Sequence, residues 1–226
     1  MRVIAHRGAS AYRPENTLEA FELAIQQGAH MVELDVRSSR DGEPVVVHDA
    51  VVRLPDATRR RVRLMSIAEL RAALGEGPCP PLEAIALALR GRVALNVELK
   101  ELGVARPAAR LLRALDMEAE VLLSSFEPSA LEAAGSELPR ADRALLARRA
   151  HGPIEAQLTR LGARFFHVAH DAVDSRLVER LHRAHVQLQA YTVDEPQELE
   201  RLAGLEIDGV FTNRPDLALE LLARRA

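Results

Sequence analysis

The chain has 226 residues, 48% of them hydrophobic, enough for one large core or two small ones. A balance of 30 Lys+Arg against 33 Asp+Glu gives a net charge of −3, and this lack of basic excess argues against nucleic acid as the main partner. No apolar run approaches the roughly 20 residues that span a bilayer, so no membrane insertion is expected. The N-terminus opens on a core-like strand and shows no charged-then-apolar leader. Cys79 is the lone cysteine and can form no internal disulfide. Both features fit a cytoplasmic location.

The first apolar run, near residues 2–5, stops at His6-Arg7-Gly8. A helix is expected near 17–27. Asn16 is its candidate cap, with Pro14 before it and Glu19 three residues on. Leu18, Phe21 and Ile25 repeat at helical spacing, and Gly28 supplies a left-handed exit. The second strand, near 30–35, carries Glu33 and Asp35. Between 36 and 80 the pattern breaks into an excursion, with an extra strand near 45–47, then His48-Asp49, and an extra helix near 66–74. A helix near 81–90 follows, then a strand near 93–98 that ends in Glu98-Leu99-Lys100.

From there the alternation is regular. Helices are expected near 104–115, 128–134, 153–161, 174–184, 195–202 and 215–224, and strands near 120–124, 142–146, 164–168, 186–191 and 208–211. Pro215 sits at a helix start, where a missing N–H costs nothing. The strands are continuous apolar runs, which suits a parallel sheet covered by crossover helices. Eight such units in one domain match a small (β/α)8 TIM barrel with a short excursion between strands two and three. An open doubly wound sheet is the alternative, but His6-Arg7-Gly8-Ala9-Ser10 is not a dinucleotide-binding loop.

Barrel active sites form at the C-terminal strand ends. There the sequence puts His6 and Arg7, Glu33 and Asp35, and Glu98 and Lys100, with His48 on the excursion. Period-2 geometry turns Glu33 and Asp35 to one side of their strand, and Glu98 and Lys100 to one side of theirs. Inward carboxylates on neighbouring strands could share one divalent cation. Their hard oxygens favour Mg²⁺ or Ca²⁺ over zinc. Any one of these acids alone reads more simply as a surface cap or ion-pair partner; their convergence favours chemistry. Scarcity points the same way. Lys100 is the only lysine, and Asn16, Asn96 and Asn213 are the only asparagines. A compact ammonium is not interchangeable with the planar guanidinium used elsewhere.

His6-Arg7-Gly8, Pro14-Glu15-Asn16-Thr17, Glu33-Leu34-Asp35, His48-Asp49 and Glu98-Leu99-Lys100, in this order and spacing, resemble the glycerophosphodiester phosphodiesterase family. Ser124-Ser125-Phe126, Tyr191-Thr192-Val193 and the segment 208–215 agree more weakly. The resemblance covers essentially the whole chain and implies a (β/α)8 barrel. It implies that Glu33, Asp35 and Glu98 hold one cation, that His6 and His48 are the general acid/base pair, and that Arg7 and Lys100 contact phosphate. The implied reaction cleaves a small glycerophosphodiester to glycerol 3-phosphate and an alcohol. Phe126 and Tyr191 would shape the substrate end.

Relatives often carry an Arg-Thr-Thr segment after His-Asp, Trp at 191 and Asp at 213; this chain departs at all three, which bears on alcohol preference. A lysophospholipase D-like or cyclising reaction on the same barrel, and a non-catalytic phosphate- or polyol-binding protein, are the alternatives. The remaining histidines, His30, His151, His167, His170, His182 and His185, read as structural, His182 and His185 as neighbours on one helix. The arginine cluster at 59–63 reads as a solvated loop. Oligomeric state has no sequence signal.

Overall fold

Continuous apolar runs become parallel strands because both faces of each strand find cover. The computed structural model describes residues 1–75 and 77–224. Its strands are β1 (Arg2–Ala5), β2 (Met31–Ser38), β3 (Pro44–Val46), β4 (Val51–Arg53), β5 (Arg59–Arg61), β6 (Ala94–Leu99), β7 (Val121–Ser125), β8 (Asp142–Ala147), β9 (Phe165–Ala169), β10 (Gln187–Tyr191) and β11 (Gly209–Thr212). Its α-helices are α1 (Leu18–Gln26), α2 (Ile67–Leu74), α3 (Leu82–Leu89), α4 (Leu102–Ala114), α5 (Pro128–Glu137), α6 (Ile154–Leu161), α7 (Ser175–Arg183), α8 (Pro196–Gly204) and α9 (Pro215–Ala223). No helix among the described residues is long and apolar enough to cross a membrane.

The parallel order β1-β2-β6-β7-β8-β9-β10-β11 closes because β1 pairs with both β2 and β11. Each of these eight strands is followed by a covering helix, α3 in the case of β2 with α2 extra on the excursion, so the (β/α)8 barrel expected from the sequence is the fold. Outward side chains pack under the helices in two large clusters, one around Phe21, Leu34, Leu89 and Leu112, the other around Phe166, Leu181, Leu188 and Leu202. The barrel interior is layered. Ile4, Met31, Leu122, Ala144, Phe165 and Phe211 form an apolar plug. Above it the buried inward residues turn polar, with Glu33, Asn96, Ser124, His167 and Gln189. An apolar floor beneath a polar ceiling gives the barrel one chemically active end.

Four local features differ from the expectations above. β2 runs past Asp35 to Ser38, because β3 pairs antiparallel with its end, Val36 opposite Val46. The excursion also holds a hairpin, β4 against β5, that no pattern signalled. α1 is capped by Thr17, whose hydroxyl accepts from Ala20 N at 3.3 Å, and not by Asn16. The expected helix at 66–74 is α2, started by a capping box between Ser66 and Glu69. α7 ends at Arg183, so His185 lies beyond the helix that carries His182, at φ +57°.

Candidate active site

The turn after β1 sets up the site. Arg7 and Gly8 both take left-handed backbone, at φ +58° and +84°. A Cβ at Gly8 would stand 2.6 Å from the Ala20 carbonyl carbon, so only glycine lets this turn lie against α1. The turn directs the Arg7 backbone N–H to Glu33 Oε2 at 2.8 Å. The Arg7 guanidinium lies 3.1 Å from Asp35 Oδ2 and 2.9 Å from Glu15 Oε2.

Strand register brings the acids together. Asp35 sits opposite Glu98, and Glu33 opposite Asn96. One ligand oxygen from each of Glu33, Asp35 and Glu98 lies within 4.8 Å of the others, and all three residues are buried. Lys100 Nζ is 3.2 Å from Asp35 Oδ1 and 2.5 Å from Glu98 Oε1. The electrostatics are frustrated. Burial, with Asp35 and Glu98 beside it, pushes the Glu33 carboxyl well above its ordinary pKa. Burial and Asp35 also raise Glu98, against the pull of Lys100. Burial would raise Asp35 too, but Lys100, Arg7 and the Asn16 amide outweigh it and hold Asp35 below its ordinary value. Glu33 Oε1 and Asp35 Oδ1 complete no hydrogen bond. Three buried carboxylates against two cations, with oxygens left over, make a donor set that fits a hard divalent cation.

His6 and His48 line the same cavity, of about 350 Å³, together with Arg7, Glu33, Glu98 and Lys100. His6 Nδ1 is 2.9 Å from Asn213 Oδ1. Burial and the nearby Arg7 charge lower its pKa, and the Asn213 bond offsets this in part. His48 Nδ1 is 3.0 Å from Asp49 Oδ1. Arg37 Nε donates to the His48 carbonyl at 2.7 Å, tying the excursion to β2. The far wall holds Phe126 and Tyr191, whose rings meet edge to face at 6.1 Å, with Leu146, Arg148, Thr192 and Phe211. All nine residues singled out from the sequence therefore meet at one barrel end, Asp35 through its contacts with Arg7 and Lys100.

Six more residues contribute that the sequence reading gave no role in the site. Asn16, left-handed at φ +59°, donates Nδ2 to Asp35 Oδ2 at 2.9 Å and accepts from Asp35 N at 3.2 Å. Asn213 meets the His6 ring and is itself held by Asp194 and Ser10. Asn96 and Arg148 line the cavity. The scarcity of asparagine was the available signal for three of these residues. For Arg148 it was its place one residue past β8, as Phe126 is one past β7. His170 pairs with Glu198 and His182 with Asp208; neither lines the cavity.

The model of the Glycerophosphoryl diester phosphodiesterase family matches residues 6–217. The chain is similar to a glycerophosphodiester phosphodiesterase of Caldanaerobacter subterraneus, 28% identical over 98% of each chain. Among solved structures it resembles an Oleispira antarctica phosphodiesterase in complex with the product sn-glycerol-3-phosphate, at TM-score 0.89 and 27% identity over 99% of this chain and 97% of the other. It also resembles the glycerophosphodiester phosphodiesterase of Thermotoga maritima, at TM-score 0.80 and 26% identity over 97% of each. With nearly its whole length matched, and a buried acidic triad facing two histidines and two basic side chains, the chain belongs to the glycerophosphoryl diester phosphodiesterase family.

Proposed function

We propose that this chain hydrolyses soluble glycerophosphodiesters to glycerol 3-phosphate and an alcohol, with help from one Mg²⁺ or Ca²⁺. The observation that carries this reading is the trio Glu33, Asp35 and Glu98, buried and within 4.8 Å, with Glu33 Oε1 and Asp35 Oδ1 still short of hydrogen-bond partners. Those three would hold the cation, which when bound supplies Lewis-acid stabilisation of charge on phosphate oxygen. The product found in the similar Oleispira antarctica enzyme supports glycerol 3-phosphate as the retained half.

The chain's own residues do the rest. Arg7 and Lys100 stand beside the acids and offer N–H donors to the non-bridging phosphate oxygens as charge builds there. Lys100 keeps its proton because Asp35 and Glu98 outweigh the effect of burial. His6, buried and with a lowered pKa, takes through Nε2 the proton of the water oxygen that attacks phosphorus as the bond to the alcohol oxygen breaks. His48 returns one to the leaving alkoxide through its own Nε2, its Nδ1 being engaged by Asp49. Phe126 and Tyr191 bound the far end and limit what the diester can carry there.

The direct test is release of glycerol 3-phosphate from glycerophosphocholine and glycerophosphoglycerol, with each cation and with excess chelator. Release that chelator abolishes and either cation restores is the expected result. Glu98→Ala should lose turnover and, independently, the rise in melting temperature that the cation gives the wild type. Full turnover in chelator, or in Glu98→Ala, would remove the cation from the reading.

A further inference from the structure

The His6 ring has two nitrogens, and its neighbours decide which one carries the proton. Nδ1 faces Asn213 Oδ1 at 2.9 Å. An amide oxygen only accepts, so this contact needs a proton on Nδ1, provided the amide is oriented with its oxygen toward the ring. Asp194 sets that orientation. Its Oδ2 accepts from Asn213 Nδ2 at 2.5 Å, and its Oδ1 accepts from Asn213 N at 2.7 Å and Thr212 Oγ1 at 2.9 Å. A flipped amide would set oxygen against carboxylate. The Ser10 hydroxyl lies 2.7 Å from Asn213 Oδ1 and 2.8 Å from the His6 carbonyl, sharing its proton between two acceptors.

We propose that Asn213, oriented by Asp194 and Ser10, is a positioning residue that locks His6 as the Nδ1–H tautomer and leaves Nε2 free for the reacting oxygen. The inference rests on the role given to His6 above. The backbone adds rigidity, since His6 N donates to Thr212 O at 2.9 Å and Val193 N to Phe211 O at 2.7 Å. Three strand ends, of β1, β10 and β11, thus meet around one imidazole. The charges facing the ring are Arg7 from its own turn, Asp35 from β2 and Glu15 from the loop before α1. The residue touching Nδ1 is neutral, and its backing carboxylate is one residue removed. A plain seam between the first and last strands would need the hydrogen bonds but not the Asn213 oxygen on the ring.

The test combines kinetics with the ¹⁵N spectrum of the His6 ring, in the full chain with cation present. In the wild type above its titration, the spectrum should show the proton on Nδ1. Asn213→Leu should mix the tautomers and lower kcat roughly 100-fold, the low end of what positioned proton transfer contributes, with KM within about threefold. The double exchange Asn213→Asp/Asp194→Asn keeps an acceptor on the ring and an amide donor to orient it, so it should recover most of kcat. Its carboxylate favours imidazolium, so the limb of the pH–rate profile assigned to His6 should move to higher pH. A wild-type proton on Nε2, an Asn213→Leu kcat within threefold of wild type, or no recovery in a folded Asn213→Asp/Asp194→Asn would each overturn the proposal. The spectrum does not depend on turnover. Full activity of His6→Ala would instead sink the role of His6 while leaving the tautomer assignment to be read directly.

Discussion

Gly8 couples backbone geometry to charge. Its φ of +84° and the 2.6 Å approach to Ala20 exclude a side chain, and the turn it closes delivers the Arg7 N–H to Glu33. Gly8→Ala should cost about 2–4 kcal/mol, combining left-handed strain with a backbone clash. The urea midpoint should fall, and kcat/KM should fall further as Arg7 leaves Asp35. A variant with unchanged midpoint would show that α1 yields freely and that the turn is not the constraint described. Asn16 shows where reading residues one at a time fails. Two cap-competent residues stand in sequence, Asn16 and Thr17, and local preference cannot rank them. Asp35, distant in sequence, takes Asn16 and leaves the cap to Thr17. Rarity did better than local pattern: Lys100 and all three asparagines lie in or against the site.

At the scale of elements, the eight barrel strands were legible because parallel burial makes each an apolar run with a covering helix. The excursion was legible only where it repeats that logic, at β3 and α2. The hairpin of β4 and β5 was not, because Arg59, Arg60 and Arg61 are all exposed and carry no alternation. Its pairing comes from register with Val51–Arg53 across the turn. Val45, Val52, Val62, Met65, Leu70 and Cys79 form a small core separate from the barrel clusters, and His48 hangs between this core and β2. Leu70 is fully buried there. Leu70→Ala should cost about 2–5 kcal/mol, borne locally by the excursion. Amide exchange should speed across residues 44–75 while the barrel strands stay protected, and kcat/KM should drop as His48 loses its place. Uniform loss of protection across the barrel strands would show that the excursion and barrel unfold as one unit.

For the whole molecule, the polar upper layer of the barrel exchanges stability for a usable interior. His167 is fully buried on β9, with neither ring nitrogen hydrogen-bonded and its ring edge to face with Phe211 at 4.8 Å. Burial pushes its pKa from 6.5 down to about 3, with Gln189 offsetting only part. The unfolded chain therefore takes up this proton near pH 6.5, and the folded chain not until about pH 3. Between those limits the unfolded state binds more protons, so the His167 contribution is intact above pH 6.5 and is lost as pH falls through the window. Glu33 acts in the opposite sense: its raised pKa means the folded chain binds the extra proton, so its term favours folding as pH falls. A difference measurement separates the two. His167→Leu keeps the volume close and removes only the titrating ring. Its stability relative to wild type, from urea unfolding at about pH 7, 6 and 5, should rise by roughly 1.4 kcal/mol per pH unit below the histidine pKa. A pH-independent difference would mean that the folded barrel admits the proton, through water reaching the polar layer.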